Sequence, residues 1–350
     1  MTHPAGPQRP IRVLVAEDSP TTRAMFVDLF KNADGFAVAG EAQNGAEAIE
    51  QAIALSPDLI VMDVHMPIVD GLDATKEIMR QAPTPILMVS ASSNIAGISL
   101  GLSATQAGAL MLLEKPTPDR EELESFLGMA KAMAAVKVVR RWAGPHEATV
   151  RPIAAPPRAT RTARAIAIGT STGGPAALHR ILIDLPRDFP APILVVQHMA
   201  RGFIDGLARW LSANVALKVV VGGDGDALAA GTVYLGPDNR HIGVLEGRIA
   251  LSDEAPTNGF RPSIDYLFDS CARAYGPSLI AVMLTGMGQD GVEGLETVRT
   301  RGGRILAQDE ESSVVYGMAQ VAVDRGLVNE VFPLDLIGQR LKDLVEIAPE

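Results

Sequence analysis

A chain of 350 residues with 41 acidic and 31 basic side chains carries a net charge of −10, a balance that argues against general nucleic-acid binding. Its length allows two or three domains, each able to bury a core without staples. The single cysteine, Cys271, rules out a disulfide framework within the chain and reads as a small buried apolar residue; the polar start M-T-H-P-A-G-P-Q-R-P lacks the apolar run of a secretory signal, so a cytoplasmic protein is expected.

From Ile11 strands and helices alternate, which predicts a parallel sheet covered on both faces. I-R-V-L-V-A runs into Glu17 and Asp18, D-L-I-V-M into Asp63, P-I-L-M-V into Ser90, and A-L-M-L-L-E into Lys115. Each apolar strand thus delivers polar residues at its carboxyl end, where open α/β sheets place their ligands. Three converging carboxylates repel one another unless a cation sits between them, and oxygen donors suit Mg²⁺, so Glu17, Asp18 and Asp63 are the candidate metal ligands. Beside such an ion Asp63 is the candidate phosphoryl acceptor, with Ser90 and Lys115 positioned for the phosphoryl oxygens. Taken singly, each would read as a solvated charge at a strand end. The stretch E-D at 17 and 18, D-V-H-M-P-I-V-D-G at 63 to 71, Ser90 and K-P at 115 together resemble a response-regulator receiver domain. The resemblance implies that a histidine kinase donates the phosphoryl group and that the last strand and helix shift in response. One departure is Leu112, which stands where receivers carry an aromatic switch residue.

Between Arg80 and Glu114 lie 33 uncharged positions, too broken by polar residues to span a membrane, which predicts a helix covered by another surface. From Asp119 helical spacing continues towards Trp142, a run of ~36 Å if unbroken. Residues 143 to 164 lose periodicity and hold Pro145, Pro152, Pro156 and Pro157, as a linker does. From Lys137 to Arg164 there are seven Lys or Arg and one acid, Glu147, in keeping with a solvated linker.

Alternation resumes at Arg164, implying a second parallel sheet. I-A-I-G-T-S-T-G-G-P at 166 to 175 has the G-x-S-x-G spacing of a nucleophile elbow, with Ser171 at the turn and Pro175 suited to the first helical turn. The same residues could form a turn that cradles a phosphate at a helix N-terminus. P-I-L-V-V-Q ends at His198, and S-L-I-A-V-M-L ends in T-G-M-G-Q-D-G, which carries Asp290. Residues 232 to 252 alternate about a Glu-Gly turn and predict an inserted β-hairpin.

His198 ends the strand after Ser171 and is the candidate general base. His179 lies eight residues along the following helix, ~12 Å away and out of reach, and His241, in the hairpin, is expected at the rim. Asp290 can orient the imidazole, whereas Asp184 and Asp188 lie at the opposite end of the sheet. The order Ser, His, Asp is not that of α/β-hydrolases, so the elbow does not license that fold. A rival reading takes G-M-G-Q-D-G at 286 to 291 as a dinucleotide fingerprint, with Asp309 18 residues on. Asp290 would then face pyrophosphate, and only 59 residues remain after Gly291, too few for paired nucleotide-binding halves.

G-T-S-T-G-G-P at 169 to 175, Q-H-M at 197 to 199, R-P-S-I-D-Y-L-F at 261 to 268 and M-L-T-G-M-G-Q-D-G at 283 to 291 resemble the catalytic domain of chemotaxis protein-glutamate methylesterases. With the receiver in front, the resemblance covers nearly the whole chain. It implies two doubly wound α/β domains: a flavodoxin-like receiver over 10–130, a helical extension and linker over 131–164, and a three-layer methylesterase domain over 165–346. It further implies hydrolysis of glutamyl methyl esters on chemoreceptors by Ser171, His198 and Asp290, with receptor glutamine deamidation alongside. Met287 supplies an oxyanion donor in that reading, and Thr172 and Arg261 lie near the site. An unphosphorylated receiver covering the cleft, Mg²⁺ in the receiver alone, no membrane insertion and a monomeric state complete the expectation. A loop reading G-P-D-N-R before His241 departs from the family's usual glycine pair. The competing class is a response regulator whose output domain binds a partner without catalysis.

Overall fold

The computed structural model describes residues 9–90, 109, 111–134, 151–152, 163–199 and 201–345. The chain forms two compact units, residues 1–144 and 145–350.

In the first unit five strands form one parallel sheet: β1 (Ile11–Ala16), β2 (Phe36–Ala42), β3 (Leu59–Asp63), β4 (Ile86–Ser90) and β5 (Met111–Glu114), in the order β2-β1-β3-β4-β5. Strands β3 and β4 are buried at every position, as expected where helices cover both faces. Helices α1 (Pro20–Asn32), α2 (Gly45–Leu55), α3 (Gly71–Gln81) and α4 (Arg120–Ala134) flank the sheet. Their starts follow from local chemistry. Ser19 caps α1 ahead of Pro20, Asn44 accepts from the Glu47 amide while Glu47 reaches back to the Gln43 amide, and Asp70 caps α3. Phe126 of α4 packs 5.5 Å from the ring of Phe26 and joins this helix to the core. Leu112 packs against the same unit's core, so the position of the usual aromatic switch holds an aliphatic side chain. The uncharged helix expected between Arg80 and Glu114, the run from α4 to Trp142, and most of the linker lie outside the described residues.

The second unit is built on an eight-stranded sheet: β6 (Arg151–Pro152), β7 (Ala165–Thr170), β8 (Ile193–Gln197), β9 (Lys218–Val221), β10 (Thr232–Leu235), β13 (Leu279–Met283), β14 (Arg304–Gln308) and β15 (Glu330–Phe332). The order is β6-β15-β14-β13-β7-β8-β10-β9, parallel throughout except for edge strand β6. Around it lie α5 (Gly174–Leu182), α6 (Ile204–Asn214), α7 (Ile264–Tyr275), α8 (Val292–Thr300), α9 (Met318–Asp324) and α10 (Leu334–Val345). The separate hairpin is shorter than expected. It consists of β11 (His241–Leu245) and β12 (Arg248–Ser252), paired antiparallel about Glu246-Gly247, both at positive φ. Residues 232–235 instead pair in parallel with β8 and β9. All four side chains of that strand are buried, a two-sided environment that a surface hairpin would not give.

In each unit the strand order reverses inside the sheet: between β1 and β3 in one, between β7 and β13 in the other. Loops leaving the carboxyl ends of such strands diverge to opposite faces and open a crevice. Glu17, Asp18 and Asp63 stand at the first crevice, Ser171 and Asp290 at the second. No described helix is long and apolar enough to cross a membrane.

Candidate active site

Carboxylate oxygens of Glu17, Asp18 and Asp63 lie within 4.8 Å of one another. Lys115 Nζ sits 2.7 Å from Glu17 Oε2 and 3.1 Å from Asp63 Oδ2. Burial raises the Glu17 carboxyl above its ordinary pKa and the Asp63 charge adds to this, outweighing the hydrogen bond from Lys115. Burial works against the Lys115 ammonium, yet its bond to Glu17 and the field of Asp63 hold its pKa above the ordinary value. One lysine thus balances a cluster of acids, and the hard oxygen donors fit a divalent cation. Ser90, buried at the end of β4, is joined to the cluster through the bond from the Lys115 amide to its carbonyl.

In the second unit Ser171 follows β7 at a turn where Gly173 adopts φ 80° and caps α5. A side chain at Gly173 would also meet Val314 at 2.6 Å. The His198 amide donates to the Thr170 carbonyl at 3.0 Å, and the Ser171 amide to Thr285 at 3.1 Å, so backbone bonds fix this turn to both neighbouring strand ends. Gln197, to which the sequence reading gave no role of its own, tightens the arrangement further. Its Nε2 is 2.8 Å from the carbonyl oxygens of both Ser171 and His198, linking the two residues through one amide.

His198 Nε2 lies 2.8 Å from Asp290 Oδ2, with the side chains 8% and 1% exposed. The oxygen approaches out of line with the ring N–H, and Nδ1 is buried without a hydrogen-bond partner among the described residues. A carboxylate can only accept, so the proton belongs on Nε2 and the lone pair on Nδ1 is free. Asp290 is cradled at the start of α7: the Ser263 hydroxyl donates at 2.7 Å, the Ile264 amide at 2.8 Å and the Asp265 amide at 3.2 Å. Burial opposes its charge, but the bond to His198 and these donors prevail and hold its carboxyl below the usual range.

Asp265 is the second carboxylate here. It accepts from Gly294 N at 2.7 Å and Asn258 Nδ2 at 2.9 Å. Burial, against the opposing Gly294 bond and with the Asp290 charge added, raises it from 3.8 to about 6. An unfolded chain releases that proton near pH 3.8, so the stability held by protonated Asp265 is whole below pH 3.8 and lost as pH rises to about 6. The Asp290 contribution has the opposite sign and falls at lower pH. Asp265→Asn, with the Asn258 amide turned over to accept, is therefore expected to gain stability relative to the parent between pH 4 and 7 in denaturant titrations. An unchanged difference across that range would count against a raised Asp265.

The remaining expectations divide. Met287 is 42% exposed in the loop after β13, and the amides of Thr172 and Met287 donate to no acceptor among the described residues. Gly286 must be glycine, since a Cβ there would lie 2.2 Å from Met318 Cε and 2.7 Å from Ser171 Cβ. Arg261 is committed elsewhere: its guanidinium donates to Asn239 Oδ1 and to the carbonyls of Asp253 and Glu254, fixing the loops beside the site. His241 is not at the rim. It is fully buried, accepts from the Ser263 amide at Nδ1, bonds the Ala255 carbonyl through Nε2 and stacks on Tyr266, so it supports the residue that holds Asp290. His179 packs against Trp210, with ring centroids 4.9 Å apart and planes tilted by 46°. Cys271 is fully buried, its thiol pushed up to about 12 by burial, an inert core residue as expected. The sequence reading also missed Phe260, whose ring lies flat on His198 with centroids 4.1 Å apart and planes at 4°.

Residues 166–341 match the family model described as CheB methylesterase, and residues 13–127 that of the response regulator receiver domain. A protein-glutamate methylesterase/protein-glutamine glutaminase of Myxococcus xanthus is 50% identical over 341 residues, covering 95% of this chain and 96% of its own. One from Anaeromyxobacter dehalogenans is 46% identical, covering 97% and 98%. The CheB methylesterase catalytic domain of Thermotoga maritima aligns over 53% of this chain and all of its own, with 39% identity and a TM-score of 0.51. With a receiver ahead of a methylesterase domain and relatives alike over nearly their whole lengths, this chain belongs to the CheB family of protein-glutamate methylesterase/protein-glutamine glutaminases.

Proposed function

We propose that this chain hydrolyses glutamyl methyl esters on chemoreceptors, and deamidates receptor glutamines, under the control of receiver phosphorylation in the cytoplasm. What supports the reading most is the buried contact of His198 Nε2 with Asp290 Oδ2 at 2.8 Å, one strand from the turn that carries Ser171.

Ser171 Oγ attacks the ester carbonyl while His198 Nδ1 takes its proton, and Asp290 steadies the imidazolium so formed. The tetrahedral oxyanion lies against the amides of Met287 and Thr172, each donor worth ~3 to 4 kcal/mol. His198 then returns the proton to the departing methoxide, releasing methanol and leaving an acyl-enzyme. Water attacks that acyl group by the same proton route and frees the glutamate. With a glutamine substrate the leaving group is ammonia.

In the receiver, Glu17, Asp18 and Asp63 would hold Mg²⁺, which when bound neutralises charge on a transferring phosphoryl group. Asp63 accepts the phosphoryl from a histidine kinase, with Lys115 and Ser90 receiving its oxygens. Methanol release from a methylated receptor should rise severalfold with a small phosphodonor. Asp63→Ala should keep the basal rate and lose that rise. A mutant still stimulated by the phosphodonor would sink the regulatory route, and absence of methanol from the parent protein would sink the enzymatic one.

A further inference from the structure

We propose that Phe260 is a positioning residue for the hydrolytic site, its ring holding the His198 imidazole with Nε2 turned to Asp290 and Nδ1 free for the Ser171 proton. The inference rests on the hydrolase reading above and adds to it what keeps the base in register.

Hydrogen bonds alone leave this ring loosely fixed. Nδ1 has no partner among the described residues and the Nε2 contact with Asp290 is out of line. The χ2 torsion of histidine is broad, so little else in the side chain resists rotation. A phenyl ring 4.1 Å away and within 4° of parallel resists it directly, because turning the imidazole drives its edge into the aromatic face. That face also favours the imidazolium that forms during attack, since the ring quadrupole attracts a cation.

Phe260 is itself held. Its amide donates to Thr257 O at 2.9 Å and its carbonyl accepts from Thr257 N at 3.1 Å, closing a tight turn through Asn258 and Gly259, both at positive φ. Asn258 ties the turn to Asp265, and Arg261 fixes its other side. The next residues, Ser263, Ile264 and Asp265, are the donors that hold Asp290. One short segment therefore carries the aromatic on the face of His198 and the donors that hold its carboxylate partner, Asp290.

The test is the rate at which a serine-directed fluorophosphonate labels Ser171 in the full-length protein, read with kcat and KM for methanol release. Phe260→Ala should slow labelling and lower kcat at least tenfold with KM within twofold, and Phe260→Tyr or Phe260→Trp should recover to within about threefold of the parent. Nitrogen-15 spectra of the His198 ring should show one tautomer, protonated at Nε2, in the parent and a mixture in Phe260→Ala, at unchanged thermal midpoint. Equal or faster labelling of Phe260→Ala, or aromatic variants no better than alanine, would overturn the proposal. A parent protein that the probe does not label would instead overturn the hydrolase reading beneath it.

Discussion

Replacing Ser171 by alanine is expected to lower methanol release from a methylated receptor by ~10⁶-fold, the scale seen when a serine nucleophile is removed from an unrelated hydrolase. The residual rate would come from binding and the oxyanion donors, which act on any water that reaches the carbonyl. Ser171 Oγ makes no hydrogen bond among the described residues, so its loss leaves no buried partner stranded and the thermal midpoint should stay put. Loss of activity at unchanged stability is the signature of a nucleophile. A measurable fraction of parent activity in Ser171→Ala, with mass spectrometry excluding contamination, would remove the serine from the mechanism.

Asp290→Asn is the second large effect, and unlike the first it touches both rate and fold. The matching change in an unrelated serine protease costs ~10⁴ in kcat by favouring the wrong imidazole tautomer. Here the Asn oxygen and amide would replace two oxygens that accept from Ser263, Ile264, Asp265 and His198. At least one donor then faces another donor, which costs roughly 1–3 kcal/mol. Across a unit of this size that lowers the thermal midpoint by about 2–10 °C. A fall in midpoint without a fall in kcat would show that Asp290 supports the loop and does not serve His198.

The parts of the fold that were legible in the sequence are those where an apolar strand stops at a chemically distinctive residue. Asp63, Ser171 and His198 each end or follow a strand buried along its length, so strand order alone brings them to a sheet edge. Glu17 and Asp18 follow β1, which is buried over its last four residues. Other features escaped. Residues 232–235 read as one arm of a hairpin because alternation over four residues is the same in a half-covered and a fully covered strand, and only pairing with β8 tells them apart. His241 read as a rim residue because it stands in the inserted hairpin, while its burial comes from Tyr266 and Ser263, more than twenty positions on. Phe260 gave no signal, since a stack between residues 62 positions apart depends on a loop whose closure no local pattern encodes. The ring nitrogens also lie beyond sequence: nothing short of the geometry turns Nε2 to the acid and leaves Nδ1 for the serine.

The most direct measurement is a crystal structure of the protein after reaction with a serine-directed phosphonate, which mimics the tetrahedral intermediate. A covalent bond from Ser171 Oγ to phosphorus is expected. His198 Nδ1 should lie within ~3 Å of the phosphonyl group, Nε2 should still face Asp290, and the phosphonyl oxygen should sit on the amides of Met287 and Thr172. An adduct on another residue, or His198 turned away from both Ser171 and Asp290 in the adduct, would contradict the account.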